Sequence, residues 1–575
     1  MSGVIVAGMH RSGTSVTARL IADGGWHPGE SVLASATEEF LEDESFVGLH
    51  RNWIESHLPS GDGHLDWGIS DGGRIDLGSL PDQVFAGLVA RAREFVDRRD
   101  GEQSRWIAKD PRASLFLPVW GEIDTVHFVL VYRNPWDVVD SAVRLGSDTF
   151  CRRPRLALRA WFEYNRCLVS FARSHRNRCF ILAAERLISD LPIVWSALNE
   201  VLDLEGGVPN MLLQPDRFVH RDDHQPIAAL YEDAHPSLTA LLAELDDMAD
   251  FPRIPTAGSR VGRLPGALPG GTLPAGRGVQ VIVPCRNDGD FLLEAVASVD
   301  DCANRVRLDT GEAKVELTVV DDGSTDPETL RILNALRAGA RQVLVTQGIG
   351  LAAARNLALG VSSTRAVIPL DADNRLLMPL VEALESLEND RADLIHGPWQ
   401  RFGMDSAHVV PPVMQFDSLV PTNTIDACAL VSRELLGRLG GWDAELPFWE
   451  DWDLWLGAIK AGARVGRVEN ATFAYLVRPG SLSTRPKHDL EARARVVAHV
   501  TDKHAGLFGP VVRRLVTQVH QLDIANTNAE IERSELEFAY QELEAHHLRV
   551  FEAYRSLEHA YRALEALHLA REGGG

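Results

Sequence analysis

The sequence has few features of a secreted, membrane-spanning or nucleic-acid-binding protein. Its 575 residues include six cysteines and no CxxC pair, which disfavours both a disulfide framework and a zinc site. No apolar run approaches the roughly 18 residues of a membrane span, and the amino terminus lacks the pattern of a signal peptide. The net charge of -23 disfavours a general basic surface for nucleic acid. Together these absences predict a soluble cytoplasmic protein with no transmembrane segment and no nucleic-acid partner.

Carboxylates and apolar periodicity are also absent from residues 255–278, PTAGSRVGRLPGALPGGTLPAGRG. Proline removes backbone donors and glycine raises the entropic cost of ordering, so this segment predicts an extended linker. A long active-site loop within one domain is the alternative, although loops beyond roughly 15 residues are uncommon inside compact domains. Because the chain also exceeds the size of a single core, we predict domains at residues 1–252 and 279–500, a linker at 253–278 and a tail at 515–575.

The first motif is a glycine-bearing loop, GMHRSGTS at residues 8–15, which follows a short apolar strand and precedes a helical pattern. Such a loop directs backbone N–H groups and a helix amino terminus at one point, which suits a phosphate. It nearly fits the phosphate loop GxxxxGK[ST], but Thr14 stands where the lysine is required. This difference disfavours an ATPase or a kinase.

The second motif, RNPWDVVDS at residues 133–141, follows a predicted buried strand at residues 125–132. Open α/β sheets bind ligands at the carboxyl ends of their strands, and Pro135 suits the first turn of a following helix. Arg133, through a forked charged contact, and Ser141, through its hydroxyl, are therefore suited to hold one further phosphate.

Together these motifs resemble the sulfotransferase family, whose donor is 3′-phosphoadenosine 5′-phosphosulfate. The resemblance implies an α/β domain with a parallel sheet similar to that of P-loop proteins. It implies that Arg133 and Ser141 bind the 3′-phosphate, and that Arg11 is the cation that stabilises the leaving nucleotide. The residues that it implies as 5′-phosphosulfate binders are Arg11, Ser12, Gly13, Thr14 and Ser15.

The base of sulfuryl transfer stays open at this point. Glu42 is favoured, because family members often place a carboxylate in the segment that reads FLED here, at residues 40–43. Lys109 and Arg112 either line the substrate cleft or form a structural ion pair. The rivals of Glu42 are neighbouring carboxylates and one imidazole, namely Glu38, Glu39, Asp43 and His10.

Beyond the linker, three predicted strands each run into a polar segment. The strands begin at residues 279, 315 and 365, and they lead into PCRN, DDGSTD and DAD. Strands that alternate with helical patterns predict a parallel sheet with its ligands at the carboxyl ends. Carboxylates at those ends suit a divalent metal and the hydroxyls of a ribose.

The order VIVPCRND, VVDDGSTD, DAD and GGWDAELPFWEDWDLWLGAIKAG resembles the family-two glycosyltransferases of the GT-A fold. That resemblance implies a nucleotide-diphosphate sugar as donor and Mn or Mg as cofactor. It places Asp371 and Asp373 at the metal and the diphosphate. The residues that it implies for nucleotide binding are Asp321 or Asp322, Pro284 and Arg286.

The resemblance also implies a catalytic acidic pair, Glu450 and Asp451, with Asp451 as the general base. Inversion at the anomeric carbon is a single displacement, so it needs one carboxylate for the acceptor's proton and a cation for the leaving diphosphate. Arg355 and Asn356 fall in a segment that family members use beside the donor. Arg478 and His488 either complete the metal or diphosphate site or lie at the surface.

The tail carries apolar or small residues at seven-residue intervals from Leu522, and no glycine or proline interrupts it before Gly573. This pattern predicts a long helix with a heptad seam. A homodimeric coiled coil is the preferred interpretation, and docking of the helix onto the chain's own catalytic domains is the alternative.

These patterns predict a bifunctional transferase that performs sulfuryl transfer and inverting glycosyl transfer. Both activities in one chain would act at high effective concentration on one glycan or glycoconjugate acceptor. One alternative is a glycosyltransferase whose amino-terminal domain only binds a nucleotide or scaffolds a partner. Another is a kinase-like first domain, which Thr14 disfavours.

Overall fold

The computed structural model describes residues 2–29, 32–34, 39–57, 63–70, 73–103, 105–209, 226–253, 278–310, 314–389, 392–420, 423–478, 489–509, 512, 515–516 and 518–522. Linker residues 254–277, tail residues 523–575, Glu38 and His488 lie outside these ranges. The linker and coiled-coil assignments therefore stay predictions.

The chain divides into two compact units. Residues 1–415 and 424–481 form the first unit, and residues 416–423 and 482–575 form the second. Residues on both sides of the predicted linker belong to the first unit, so their mutual contacts are those of one packed body. The predicted domain boundaries stay predictions.

The amino-terminal part of the first unit alternates short strands with helices. Its elements are β1 (Gly3–Gly8), α1 (Thr14–Asp23), β2 (Val32–Ala34), β3 (Glu39–Asp43), α2 (Glu44–His57), β4 (Gly63–His64), β5 (Ile69–Ser70), β6 (Gly73–Arg74), α3 (Asp82–Glu102), β7 (Trp106–Lys109), α4 (Leu117–Gly121), β8 (Val126–Tyr132), α5 (Pro135–Arg144), α6 (Asp148–Arg152), α7 (Pro154–Ser174), β9 (Cys179–Ala183), α8 (Arg186–Ser189), α9 (Leu191–Leu202), α10 (Pro226–Ala234) and α11 (Pro236–Met248).

A parallel sheet in the order β7-β1-β8-β9 organises this part. Its central strands are mainly Val, Ile, Leu and Phe, a composition typical of strands covered on both faces, and every residue of β1 is buried. The predicted strand before each motif is confirmed, as is the helix that begins at Pro135. Both predicted phosphate motifs thus lie at the carboxyl edge of one sheet.

The central part of the first unit continues the α/β alternation. Its elements are β10 (Gly278–Cys285), α12 (Gly289–Thr310), β11 (Lys314–Asp321), α13 (Pro327–Ala338), β12 (Gln342–Val345), α14 (Leu351–Leu359), β13 (Ala366–Pro369), β14 (Arg375–Leu376), α15 (Leu380–Asn389), β15 (Leu394–His396), β16 (Trp399–Gly403), β17 (His408–Val409), β18 (Leu430–Ser432), α16 (Arg433–Leu439), α17 (Glu450–Lys460), β19 (Val465–Arg467) and β20 (Phe473–Val477).

The central sheet has the order β12-β11-β10-β13-β18-β15-β19. Strands β12, β11, β10 and β13 are parallel, which confirms the prediction for β10, β11 and β13. The sheet as a whole is mixed, however, because β18 runs antiparallel to both β13 and β15. The sequence predicted the parallel strands β10, β11 and β13 but not β15 and β18, which make the sheet mixed. Strands β15 and β18 have three residues each, too few to display a periodic pattern in the sequence.

A smaller sheet, β14-β20-β16-β17, lies beside the metal motif. Its first strand begins two residues after Asp373 and pairs antiparallel with β20. Strand β20 in turn runs parallel to β16. This second sheet supports the segment that follows the predicted metal ligands.

The apolar core is continuous across the first unit. One cluster of buried side chains includes Trp120 and Leu230 from the amino-terminal part together with Leu292 and Val281 from the central part. Helix α10 packs against α12 and α13. The two parts are therefore joined by shared apolar burial, which is the dominant favourable term in such contacts.

In the second unit, helix α18 (Leu490–Lys503) is the principal described element. The rings of Phe416 and Phe508 meet edge to face, with centroids 5.2 Å apart. Among the described residues of the whole chain, none of the helices combines the length and the apolar composition needed to cross a membrane.

Candidate active sites

The amino-terminal loop has the backbone geometry of an anion cradle. Arg11 and Gly13 both adopt positive φ, at 66° and 86°, and Gly13 immediately precedes helix α1. The Ser12 N–H donates to the Met9 carbonyl at 3.1 Å, which closes the turn. Left-handed residues next to a helix amino terminus turn successive N–H groups towards one point.

The two amino-terminal motifs meet in space. The Arg11 Nε donates to the Ser141 Oγ at 2.9 Å, and the Arg133 Nη1 donates to the Arg11 carbonyl at 3.1 Å. Arg133 and Ser141 are buried, whereas the Arg11 side chain is exposed. Residues separated by more than 120 positions thus form one basic, hydroxyl-bearing site at the sheet edge.

The loop hydroxyls differ in exposure and bonding. Ser12 is fully buried, and its Oγ has no hydrogen-bond partner within the described ranges. Thr14 is buried and Ser15 is partly exposed. Since a buried hydroxyl without a partner is costly, the Ser12 Oγ fits a site completed by an anionic ligand such as a phosphate.

Glu42 occupies a charged cluster at the end of β3. One carboxylate oxygen accepts from the Lys109 Nζ at 2.5 Å, and the other lies 3.7 Å from the Arg112 Nη2. Arg112 also donates to Asp110 at 2.8 Å. Lys109 and Arg112 therefore hold Glu42 as a paired carboxylate, which is the structural role considered for them from the sequence.

The rival bases are in different environments. Asp43 is buried and accepts from the Phe46 N–H at 3.0 Å at the start of α2, which is a structural role. The ring of His10 stacks on that of Trp67, with centroids 4.8 Å apart. Burial lowers the pKa of His10 well below its usual value, and nearby Arg112 lowers it further. His10 is therefore neutral at pH 7, with a buried Nε2 that has no partner in the described part of the chain. For Glu39 only the backbone is described.

In the central part, the loops after β10 and β11 are tied together. The Asn287 N–H donates to the Ser324 Oγ at 3.1 Å, and the Asn287 Oδ1 accepts from the backbone of Thr325 and Asp326. Pro284 lies buried in β10, while Arg286 is exposed beside Gly348. The segments that carry the predicted nucleotide contacts are therefore adjacent.

The two aspartates of DDGSTD hold this loop region in place. Asp322 accepts from Thr346 at 2.5 Å and from the N–H groups of Ile349 and Gly350 at 2.6 and 2.9 Å. Burial alone would raise the pKa of Asp322, but these hydrogen bonds outweigh it and lower the pKa. Asp321 accepts from the Ser324 N–H at 2.9 Å. Both side chains shape the loops, and their contact with a nucleotide stays a prediction.

The metal motif lies within reach of two arginines. Arg355 Nη2 donates to Asp371 at 2.9 Å, and Arg478 Nε donates to Asp373 at 2.8 Å. Arg478 also binds Asp288 at 2.7 Å. Burial raises the pKa of Asp373 to about 6, with Arg478 opposing the shift and Asp371 adding to it. Burial disfavours the charged form of Asp373, and a bound divalent cation would favour it. A carboxylate in this environment therefore suits a hard divalent cation.

The two carboxylates of the acidic pair at the start of α17 have different surroundings. Arg355 is fully buried and forms an ion pair with Glu450 as well as its bond to Asp371. Asp451 is partly exposed, and its pKa is raised well above the usual value by burial and then by Glu450. Glu450 is thus the carboxylate paired with a guanidinium, and Asp451 is the carboxylate whose pKa is raised. The single guanidinium of Arg355 joins the metal motif to the acidic pair.

Sequence reasoning missed a further carboxylate in this site. Burial raises the pKa of Asp426 to about 7, and the neighbouring charge of Asp371 raises it too. One oxygen of Asp426 accepts from the Cys428 N–H at 3.0 Å. No motif marks this residue, since a lone aspartate before an apolar strand is an ordinary turn residue in the sequence. Asn356 is structural, because its amide makes two hydrogen bonds to the Trp442 backbone.

Two known proteins are similar to part of the chain. WfaP of Escherichia coli, a UDP-Glc:alpha-D-GlcNAc-diphosphoundecaprenol beta-1,3-glucosyltransferase, is 23% identical over 230 residues, which cover 39% of this chain and 86% of WfaP. The succinoglycan biosynthesis protein ExoU of Rhizobium meliloti (strain 1021) is 27% identical over 232 residues, which cover 36% of this chain and 64% of ExoU.

Similar solved structures include S. aureus TarS 1-349 in complex with UDP-GlcNAc, at 20% identity and a TM-score of 0.32, covering 40% of this chain and 69% of that one. The mannosyltransferase PcManGT from Pyrobaculum calidifontis, in complex with GDP-Man and Mn²⁺, is 18% identical with a TM-score of 0.30. The match covers 44% of this chain and 75% of PcManGT. Residues 280–437 match the family model of glycosyl transferase family 2. This match includes β10, the DDGSTD loop and the metal motif. The central part of the chain, at residues 280–437, therefore contains a glycosyl transferase family 2 domain.

Proposed function

We propose that the central domain transfers a sugar from a nucleotide-diphosphate donor to a glycan or glycoconjugate hydroxyl, with inversion at the anomeric carbon. The observation that carries the proposal is the bridge made by Arg355 between Asp371 and Glu450. It brings the predicted metal motif, which lies within the family-two match at residues 280–437, next to the predicted acidic pair. The names of WfaP and ExoU, which describe sugar transfer to a lipid-linked diphosphate and succinoglycan biosynthesis, support a glycan acceptor.

In the proposed reaction, Asp451 accepts the proton of the acceptor hydroxyl. That oxygen forms the new bond to the anomeric carbon while the bond from this carbon to the donor diphosphate breaks. Glu450 keeps Arg355 in position, and the raised pKa of Asp451 makes it a stronger base than an ordinary aspartate. Asp371 and Asp373 would hold a Mn²⁺ or Mg²⁺ ion, which supplies positive charge to the leaving diphosphate when bound.

The test is a transfer assay with the full chain and UDP-, dTDP-, GDP- and ADP-linked sugars, with and without Mn²⁺. The proposal expects metal-dependent release of one nucleoside diphosphate, slowed about 10²- to 10⁴-fold in Asp451→Asn. Release that is equally fast without metal and in Asp451→Asn would overturn it.

A second function, sulfuryl transfer by the amino-terminal domain, is favoured by the contact between Arg11 and Ser141. It unites the two motifs on which the sulfotransferase resemblance rests, and Ser12 offers a buried hydroxyl to an anion. The sulfuryl group would pass from the phosphosulfate to an acceptor hydroxyl, whose proton goes to Glu42 or His10. These two candidates share Lys109 and Arg112 as charged neighbours. The alternative is an amino-terminal module that binds a nucleotide without catalysis.

The two functions can be separated with adenosine 3′,5′-bisphosphate and labelled phosphosulfate donor. Binding of the bisphosphate together with transfer of label to a glycan supports an active sulfotransferase. If the bisphosphate binds but no label passes to any glycan made by the central domain, the amino-terminal domain is a nucleotide-binding module without catalysis. If both activities are present, the product is a sulfated glycan or glycoconjugate.

A further inference from the structure

The two parts of the first unit meet at an interface close to both candidate sites. Helix α5, which carries the second amino-terminal motif, packs near strand β16. An apolar cluster surrounds this contact and includes Val143, Phe291, Phe402 and Leu476. The interface is therefore largely apolar, and charged side chains inside it are costly unless they are paired.

The ion pair between Arg375 and Asp140 crosses this interface beside the apolar cluster. The Arg375 Nη1 lies 2.6 Å from the Asp140 Oδ1, and Asp140 is buried. Each partner has a second counter-ion in its own part of the unit. Asp140 pairs with Arg144 at 2.7 Å, and Arg375 approaches Glu294 at 3.7 Å. The Arg375 guanidinium also lies 4.6 Å from the centre of the Phe402 ring.

Both residues of the pair adjoin predicted site residues. Asp140 immediately precedes Ser141, and Arg375 follows Asp373 by two positions. Arg375 is the first residue of β14, which pairs with β20. The intervening Asn374 accepts from the Leu476 N–H at 3.1 Å. The backbone that leaves the metal motif is thus held by β20 on one side and by Asp140 on the other.

We propose that Arg375 is a positioning residue for the metal motif, and that its ion pair with Asp140 makes the amino-terminal domain a structural part of the glycosyl-donor site. The pair fixes the start of β14, and through it the position of the segment between β13 and β14 that carries Asp373. The amino-terminal domain therefore contributes to metal affinity without touching the metal. The inference rests on the proposed metal-binding role of Asp371 and Asp373.

Because each residue of the pair has a second counter-ion, substitutions can test local positioning without a large loss of global stability. When Asp140 is neutralised, Arg375 retains Glu294, and when Arg375 is neutralised, Asp140 retains Arg144. Neither change leaves a buried charge without a counter-ion, which is the usual cause of severe destabilisation. The effect of losing the pair should therefore concentrate on the segment that it anchors.

The experiment compares the full-length protein with Asp140→Asn, Arg375→Met and Arg375→Lys. Arg331→Met is the matched control, because Arg331 also crosses the interface, to His235 at 2.8 Å, from a helix without predicted site residues. Hydrogen–deuterium exchange is followed over residues 368–376, and Mn²⁺ affinity is measured with the metal alone. Thermal unfolding reports the global stability of each variant.

We expect Asp140→Asn and Arg375→Met to raise exchange in residues 368–376 by roughly tenfold, because local opening becomes easier there. The same two variants should bind Mn²⁺ more weakly. Arg375→Lys should recover part of the Mn²⁺ affinity and part of the protection from exchange. Arg331→Met should change neither the exchange nor the Mn²⁺ affinity. Unchanged exchange in this segment, or a uniform rise across the chain, would overturn the inference. If Mn²⁺ does not bind the wild type while exchange changes as expected, the positioning holds and the proposed metal role is wrong.

Discussion

Arg355 forms a buried ion pair with Glu450, the first residue of helix α17. The pair gives two adjacent carboxylates different tasks. Glu450 is compensated by a guanidinium, whereas Asp451 is left with a pKa raised by burial and by the charge of Glu450. Two neighbouring carboxylates in different environments can take different roles in acid–base catalysis.

Asp451→Asn should therefore lower kcat for sugar transfer by about 10²- to 10⁴-fold, the usual contribution of a general base. Binding of the donor nucleotide should change little, because the amide preserves the shape of the side chain. Steady-state kinetics and nucleotide titration measure the two effects. Asp453→Asn, on the same helix, is the control. A fall in nucleotide affinity that matches the fall in kcat would show that Asp451 binds the donor instead.

The rate of sugar transfer should also depend on pH through Asp451. A base acts only when deprotonated, so kcat should rise as the pH passes upward through its raised pKa and fall below it. An ordinary aspartate, with a pKa of about 3.9, would show no such limb above about pH 5. The profile is measured at saturating Mn²⁺, because Asp373, with a pKa of about 6, would otherwise contribute through metal loss. A kcat that does not change with pH above about pH 5 would contradict the assignment.

Much of each candidate site could be predicted from the sequence, because ligand-binding residues in α/β folds follow strand ends that are readable as apolar runs. The loop at residues 8–15, DDGSTD and DAD were found in this way. The sequence also offered Arg355 and Arg478 as candidate site residues, but it did not predict which carboxylates they pair with. Arg478 reaches Asp373 across 105 positions and Arg355 reaches Glu450 across 95, and such pairings depend on how strands are ordered and packed. The antiparallel β18 was missed for the same reason, since its neighbours are set by the whole sheet.

Metal removal should abolish sugar transfer. EDTA treatment is expected to eliminate activity, and Mn²⁺ or Mg²⁺ should restore it in the wild type. In Asp373→Asn restoration should fail or need much more metal, because one hard oxygen ligand is lost. Asp405→Asn is a control of the same chemistry at an exposed surface ion pair. Full activity of EDTA-treated protein would refute a metal-dependent mechanism.

The amino-terminal site should bind adenosine 3′,5′-bisphosphate without metal. At about 100 times its dissociation constant, a ligand stabilises the folded protein by about 2.7 kcal/mol, which a thermal-shift assay detects. Arg133→Ala should lose this response, and Ser141→Ala should weaken it without removing a buried charge. Arg173→Ala, at an exposed ion pair with Glu244, should respond as the wild type does. No response in the wild type would leave the loop as an ordinary strand–helix connection.

Glu42→Gln tests whether Glu42 is mainly structural. The substitution removes the charge that faces Lys109, whose side chain is only 3% exposed, while Arg112 keeps Asp110 as a partner. Loss of one member of a buried pair costs about 3–5 kcal/mol, and the 15% exposure of Glu42 places the expected cost towards the lower end of that range. Thermal unfolding should therefore show a clear decrease in Tm, whereas Glu55→Gln on the exposed face of α2 should not change it. An unchanged Tm for Glu42→Gln, together with loss of sulfuryl transfer, would make Glu42 the base and remove the case for His10.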